Sequence, residues 1–249
     1  MGHYRGFDGA ELTLTEIGEG RAIILLHGLF SSAEMNWQRY GAAAEIASAG
    51  YRVIMPDFRA HGRSAAPHDP AAYPADVLAL DIEALVAQSG LTDFDIGGYS
   101  MGARTLVRLL ARGLRPARAI IAGMGLEGLT GGTARAEFFQ KILAQPDGWP
   151  GGSPEAFAAA FMRQNNIDRT AVSLLLHSQQ STSTETLRTL ATRAMVLCGI
   201  DDRDNGSAAA LALELPNAAL VEIPGNHMSA VTKPDFGTAI AAWLGHHPA

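Results

Sequence analysis

A single serine, Ser100, stands between two glycines in the stretch GGYSMGAR, which runs from Gly97 to Arg104. The apolar residues FDI precede this stretch, and the helical-looking sequence RTLVRLLARGL overlaps its end. A serine nucleophile on a sharp strand-to-helix turn needs such flanks, because only small neighbours leave room for its strained backbone. The pattern predicts that Ser100 is a nucleophile, while a glycine-rich bend without chemistry remains the alternative.

A general base is the second requirement, because a serine hydroxyl is a weak nucleophile at neutral pH. Among the eight histidines, His227 follows the last predicted strand, in the sequence IPGNHM, on a loop that begins with a glycine. Open α/β sheets collect their functional groups in loops at the carboxyl ends of strands. We therefore expect His227, rather than a histidine elsewhere, to be the base.

Three carboxylates are candidates for the acid that orients the base. Asp201, Asp202 and Asp204 all follow the apolar run RAMVLC. Adjacent side chains diverge, so at most one of Asp201 and Asp202 can face His227, and Asp204 is better explained by the turn that caps a helix beginning near residue 207. Asp202 is the favoured acid, with Asp201 and Asp204 as alternatives.

Stabilising an oxyanion takes two backbone N–H donors that are already in place. Met101 directly follows the candidate nucleophile, at the positive end of the predicted helix. The second donor is expected in HGLFSS, after the apolar run IILL, where Gly28 allows a sharp turn. The amide of Leu29 or Phe30 can then point towards Ser100.

These residues need a sheet to position them, and the chain alternates apolar runs with helical segments. This rhythm predicts a parallel sheet with crossover helices. After an N-terminal hairpin, the predicted strands are 22–26, 51–57, 94–99, 117–123, 193–199 and 219–225, and the predicted helices are 33–49, 75–89, 101–113, 207–214 and 234–244.

The rhythm stops between residues 124 and 187, where no convincing strand occurs. We predict a single domain over residues 1–249, in which a mostly helical cap at 124–187 is inserted between core segments 1–123 and 188–249. An ordinary crossover with one extra helix is the alternative. Aromatic side chains, most of them in this insertion, are expected to line an apolar acyl or aryl pocket, although some could simply form the core of the cap: Phe30, Phe138, Phe139, Trp149, Phe157 and Phe161.

Composition excludes several other classes of protein. The 249 residues are 47% hydrophobic and 18% charged, with a formal net charge of −6, which gives no basic surface for nucleic acid or anionic membranes. No apolar run is long enough to span a bilayer. The single cysteine, Cys198, excludes an internal disulfide framework, and with no signal-peptide pattern we expect a cytoplasmic protein. No His/Asp spacing suggests zinc or another metal.

Ser100, Asp202 and His227 occur in this order along the chain, each just after a predicted strand, and this order is typical of one of the several lineages of triad enzymes. In this order and in five short segments, the chain resembles an α/β-hydrolase of the lid-bearing esterase type. The segments are HGLF (27–30), DFRAHGRS (57–64), GYSMG (98–102), CGIDD (198–202) and PGNH (224–227). The resemblance implies the α/β-hydrolase fold, an oxyanion hole formed by the amides of Leu29 and Met101, and no cofactor. It also implies structural roles for residues of the DFRAHGRS segment.

Serine at the nucleophile position has a consequence within this family. Relatives that resemble haloalkane dehalogenases or epoxide hydrolases carry an aspartate there and form an alkyl-enzyme ester. The resemblance with Ser100 implies acyl transfer to water, and a small or medium carboxylic ester is the expected substrate. Thioesters, lactones, C–C bond hydrolysis and perhydrolase activity use the same triad, and a non-catalytic receptor for a small ligand is the alternative from another class. The oligomeric state is not predicted.

Overall fold

The computed structural model describes residues 1–131, 133–145 and 147–245. Its centre is an eight-stranded sheet in the order β1-β2-β4-β3-β5-β6-β7-β8, in which β1 pairs antiparallel with β2, β2 pairs antiparallel with β4, and all other pairs are parallel. The strands are β1 (Gly2–Arg5), β2 (Glu11–Ile17), β3 (Arg21–Leu26), β4 (Tyr51–Pro56), β5 (Phe94–Tyr99), β6 (Arg118–Ala122), β7 (Arg193–Gly199) and β8 (Ala218–Ile223).

Helices cover both faces of this sheet. The central strands β3, β5 and β6 are almost entirely buried, as expected for parallel strands packed on both sides. The helices are α1 (Ala42–Ser48), α2 (Val77–Ser89), α3 (Met101–Ala111), α4 (Leu126–Thr130), α5 (Thr133–Ala144), α6 (Pro154–Gln164), α7 (Arg169–Ser178), α8 (Thr184–Leu187), α9 (Ala208–Glu214) and α10 (Pro234–Gly245). α1 and α10 pack on one face, and α2, α3 and α9 belong to the apolar cluster on the other. The α/β-hydrolase fold class predicted from the sequence is confirmed.

Helices α4–α8 occupy the chain between β6 and β7, where the sequence predicts a helical insertion. α5 packs against both α6 and α7, whereas α4 is tied to the core beside α9 by backbone bonds from Leu126 to Ser207 and from Gly128 to Asn205. The cap boundaries 124–187 and the single domain 1–249 stay predictions. Residues 132, 146 and 246–249 of those ranges lie outside the described residues.

The helix predicted over 33–49 is interrupted. A π-helical turn occupies Glu34–Gln38, and α1 begins only after Gly41, whose φ of 84° is left-handed. The apolar spacing of the sequence continues across this break because Trp37 and Ile46 are both buried on the same side of the sheet. Hydrophobic periodicity therefore reports the buried face here and does not reveal the break.

The DFRAHGRS segment joins the sheet to the N-terminal hairpin. Arg59 is completely buried and donates to the carboxylates of Asp81 and Asp8 at 2.8–2.9 Å. Asp57 accepts the N–H groups of Ala33 (2.8 Å) and Arg63 (3.1 Å). Buried charges are tolerated when they are paired in this way. Within the described ranges, no helix combines the length and the apolar character needed to cross a membrane.

Candidate active site

Ser100 lies at the sharp turn from β5 into α3. Its backbone has φ 56° and ψ −113°, an unfavourable conformation for a residue with a side chain. A Cβ atom at Gly98 would lie 2.3 Å from the backbone of Gly102, and one at Gly102 would lie 2.2 Å from the carbonyl oxygen of Leu26. The two glycines flanking the serine therefore allow α3 to start directly against β5 and β3, which holds Ser100 at the end of the sheet.

The structure brings Ser100, His227 and Asp202 together. His227 Nε2 is 3.0 Å from Ser100 Oγ, and His227 Nδ1 is 2.9 Å from Asp202 Oδ2. The side chains of His227 and Asp202 are only 5% and 3% exposed. A proton on Nδ1 that is donated to Asp202 leaves the Nε2 lone pair facing the hydroxyl, which is the arrangement that lets an imidazole accept a serine proton.

The three candidate acids have different positions. Asp202 is buried, and its second oxygen, Oδ1, accepts the N–H of Asp204 at 3.0 Å, which fixes the carboxylate from both ends. Asp201 and Asp204 are exposed. The predicted capping role of Asp204 is wrong, because Ser207 is the N-cap of α9 and accepts the N–H of Ala210. Asp204 instead lies at the wall of the cleft described below.

The thiol of Cys198 lies close to the carboxylate of Asp202. Burial and the nearby Asp202 carboxylate raise the pKa of the Cys198 thiol to about 12. The thiol therefore stays protonated and is no competing nucleophile at neutral pH.

The structure distinguishes the two backbone amides of the loop after β3, those of Leu29 and Phe30, that are candidates for the second oxyanion donor. The Phe30 N–H donates to His61 Nε2 at 3.1 Å and is thus already used. The amides of Leu29 and Met101 have no acceptor among the described residues, and both residues line the cleft beside Ser100. This leaves Leu29 and Met101 as the pair of free donors.

Two buried histidines hold this loop in place. His61 Nδ1 donates to the carbonyl of Arg59 (3.1 Å), and His27 Nε2 accepts the N–H of Phe58 (3.0 Å). Burial lowers the pKa of His61 to about 3, so its ring is neutral at physiological pH. The ring can then accept the Phe30 N–H through Nε2, which a protonated imidazole could not do.

Asn36 and Tyr99 support the site and were not singled out from the sequence. Asn36 Oδ1 accepts the Gly28 N–H at 2.9 Å, while its buried Nδ2 has no acceptor among the described residues. The Tyr99 hydroxyl donates to the carbonyl of His227, and the two rings stack with centroids 5.3 Å apart. The position of Tyr99 directly before the serine was the available signal, but a strand residue can face either side of the sheet.

A cleft of about 850 Å³ opens above Ser100 and His227. Four of the six aromatic residues predicted for a pocket line it, namely Phe30, Phe139, Phe157 and Phe161. The rings of Phe30 and Phe139 meet edge to face, with centroids 5.1 Å apart. The cleft wall is therefore built partly by the loop after β3 and partly by α5 and α6.

Phe138 and Trp149 do not line the cleft, which corrects their predicted placement. Phe138 packs edge-on against Phe139, with ring centroids 5.2 Å apart, within the apolar cluster. The Trp149 indole donates to the carbonyl of Gln145 (2.8 Å), and Lys141 Nζ lies 4.8 Å from its ring centroid. Both rings thus stabilise α5 and the segment that follows it.

Across the described ranges, no three His, Cys, Asp or Glu side chains come close enough together to hold a metal ion.

Parts of the chain are similar in sequence to known proteins. The chain is 38% identical over 96 residues to an epoxide hydrolase from Caballeronia sordidicola, which covers 39% of this chain and 28% of that protein. It is 36% identical over 121 residues to a non-heme haloperoxidase from Rhodococcus erythropolis, covering 47% of this chain and 41% of that protein. The matched segments thus span less than half the length of these relatives.

Among solved structures, an esterase from Exiguobacterium antarcticum superposes with a TM-score of 0.78 at 19% identity, covering 99% of this chain and 100% of that chain. At this level of identity the likeness shows a shared fold. The sequence profile of the alpha/beta hydrolase fold matches residues 21–164, which include the Ser100 turn and the loop that carries Leu29. The chain therefore belongs to the α/β-hydrolase fold family.

Proposed function

We propose that this protein is a serine hydrolase that cleaves a small or medium carboxylic ester through an acyl-enzyme on Ser100. One observation carries the proposal: the hydroxyl of Ser100 is 3.0 Å from a buried imidazole, His227, whose other nitrogen is 2.9 Å from the Asp202 carboxylate. Ser100 and His227 line a cleft large enough for such a substrate.

Acylation begins when His227 Nε2 takes the proton of Ser100 as the oxygen attacks the ester carbonyl. The amides of Leu29 and Met101 donate to the oxyanion that forms, and Asp202 stabilises the imidazolium. When the tetrahedral intermediate collapses, His227 gives its proton to the departing alcohol, which leaves an ester of the substrate acid on Ser100.

Deacylation repeats these steps with water as the nucleophile. His227 Nε2 takes a proton from the water as its oxygen attacks the acyl-enzyme carbonyl. The same two amides hold the second oxyanion, and His227 then returns the proton to the Ser100 oxygen as the carboxylic acid is released. No cofactor takes part in this sequence, and the partners are a small acyl substrate and water.

The cleft supports an apolar acyl or alkoxy group. Phe139 on α5 and Phe157 and Phe161 on α6 line the same cleft as Ser100. In the same proposal, residues 124–187 act as a helical cap whose aromatic side chains contact the substrate. Phe157 is 68% exposed, so part of this apolar wall is available to a ligand.

Epoxide hydrolysis is less well supported, although one relative is named an epoxide hydrolase. A serine oxygen that opened an epoxide would remain attached to carbon as an ether, which water cannot hydrolyse under these conditions. An ester between Ser100 and an acyl group is hydrolysable. Thioester, lactone and C–C bond cleavage and perhydrolysis pass through the same acyl-enzyme and are outcomes of the test below. A non-catalytic receptor would have no use for the buried Asp202–His227–Ser100 contacts.

The test is a comparison of the wild type with Ser100→Ala on 4-nitrophenyl acetate, butyrate and octanoate, alongside a thioester and a lactone of matched chain length. We expect ester turnover that falls by at least about 10³-fold in the variant. Equal rates in the two proteins would overturn the proposal. Turnover confined to the thioester or the lactone would keep the nucleophile and replace the substrate class.

A further inference from the structure

Arg104 lies in the first turn of α3, four residues after Ser100, the residue that directly precedes this helix. Its N–H donates to the carbonyl of Ser100 at 3.0 Å, and its side chain lines the same cleft as Ser100 and His227. The Arg104 side chain therefore forms part of the wall of the cleft that also contains Ser100.

The hydrogen bonding of Arg104 is incomplete. One terminal nitrogen donates to the carbonyl of Gly128, while Nε is buried and has no acceptor among the described residues. No carboxylate of the described residues lies within ion-pair distance of this guanidinium, in contrast to Arg108, Arg112 and Arg118, each of which is paired with an acid. Nη2 forms no hydrogen bond to a described residue and is not buried, so the guanidinium keeps unused donors at the cleft wall.

The surroundings of Arg104 do not balance its charge. Its charged neighbours are Arg108, which repels it, and Asp76, whose two oxygens are already held by Arg108 at 2.9 and 2.7 Å. Burial and Arg108 together lower the pKa of Arg104. Glu127 and Asp204 also line the cleft, but both are exposed and neither forms an ion pair with Arg104.

We propose that Arg104 binds a carboxylate of the substrate, so that the preferred ester carries a free carboxylate a few bonds from the scissile carbonyl. This inference rests on the proposed hydrolase function and narrows its substrate class. A guanidinium matches a carboxylate with two parallel N–H donors, and such charge-assisted bonds are stronger in a partly buried site. The four aromatic rings of the cleft then contact the carbon chain between the two groups.

Matched ester pairs test this assignment. Mono-4-nitrophenyl adipate and methyl 4-nitrophenyl adipate differ only in the charge at the far end of the acyl chain, and 4-acetoxybenzoate and methyl 4-acetoxybenzoate place the charge on the leaving group. We expect the wild type to prefer the anionic member of at least one pair. Arg104→Gln should lower kcat/KM for that anionic ester by about 10- to 100-fold and change the neutral ester by less than about threefold. Arg104→Lys should restore part of the preference.

Arg169→Gln is the matched control, because Arg169 also has a buried Nε without an acceptor but does not line the cleft. This variant should leave the ratio of anionic to neutral turnover unchanged. An equal loss on both esters in Arg104→Gln, or no anion preference in the wild type, would overturn the assignment.

A binding measurement separates this proposal from the hydrolase proposal. In Ser100→Ala protein, adipate should raise the melting temperature, and the added Arg104→Gln change should abolish that rise. Such binding without ester turnover in the wild type would leave the carboxylate site standing and remove the hydrolase function. Turnover of neutral esters without adipate binding or anion preference would do the reverse.

Discussion

Lowering the pH should destabilise this protein because His61 binds a proton more readily in the unfolded chain than in the native state. Replacing His61 should remove this part of the loss of stability. His61 is 3% exposed, and its neutral ring accepts the Phe30 N–H through Nε2 while it donates to Arg59 through Nδ1. Protonation would place a second donor against the Phe30 N–H in a buried site. The native state therefore resists protonation of this ring.

The size of the effect follows from the pKa of His61, which burial and the neighbouring His27 lower from 6.5 to about 3. Below pH 6.5 the unfolded chain binds a proton at His61 and the native protein does not, so stability falls as the pH falls. The loss grows by about 1.4 kcal/mol per pH unit until the pH reaches the native pKa of about 3. At pH 5.0, which lies 1.5 units below the unfolded pKa, it is about 2 kcal/mol.

The assay is urea unfolding of the wild type and of His61→Gln at pH 7.5 and pH 5.0. The glutamine carbonyl can accept the Phe30 N–H, and the substitution removes the titrating group. The free energy of unfolding should fall by about 2 kcal/mol more in the wild type than in the variant between the two pH values. Titrating groups that do not interact with residue 61 cancel in this difference. His177→Gln, at an exposed position, controls for loss of a histidine as such.

An equal loss of stability in the wild type and His61→Gln would refute the reasoning, because it would mean that His61 is already charged, or free to become charged, in the native state. A change in the urea dependence itself would instead indicate an altered unfolded state, and the comparison would then be repeated by calorimetry.

Three further predictions concern the site itself. Asp202→Asn should lower kcat by about 10⁴-fold because the imidazole of His227 loses the partner that sets its tautomer and balances its charge. Asp204→Asn should change kcat less than about threefold. If steady-state kinetics gave the reverse order, the acid would be Asp204. Gly102→Ala should cost about 3 kcal/mol in urea unfolding, since its Cβ would lie 2.2 Å from a backbone carbonyl, while Gly151→Ala, which has open space, should cost less than about 1 kcal/mol. Tyr99→Phe should cost about 1–3 kcal/mol of stability and lower kcat severalfold with little change in KM, because the carbonyl of His227 loses its donor; a variant with unchanged stability and kcat would contradict that role.

The sheet and the positions of the proposed triad residues could be predicted from the sequence because each depends on a local signal. Buried parallel strands are continuous apolar runs, and the candidate catalytic residues Ser100 and His227 each follow a predicted strand at the end of the sheet where functional groups collect. The choice of Asp202 among three carboxylates used only the divergence of adjacent side chains. The contact of Asp202 with His227 at 2.9 Å agrees with that choice.

Other features depend on contacts between distant segments and could not be predicted. The residues of the HGLF loop by themselves left Leu29 and Phe30 open as oxyanion donors, and only the family resemblance implied Leu29. The approach of His61, 31 residues further along the chain, shows that the Phe30 amide is used elsewhere. Phe138 and Phe139 are the same residue type at adjacent positions, yet only Phe139 lines the cleft. Packing across the insertion decides which face of α5 lines the cleft and which face contacts the other helices of the insertion.

The most direct test of the central claim is a map of covalent labelling by a fluorophosphonate probe. The account predicts one adduct per chain, located by peptide mass spectrometry on the fragment that contains Ser100. The adduct should be absent in Ser100→Ala and should form at least about 100-fold more slowly in His227→Gln, which lacks the base. An adduct on another residue, or an unlabelled Ser100 in protein that still hydrolyses 4-nitrophenyl esters, would contradict the account.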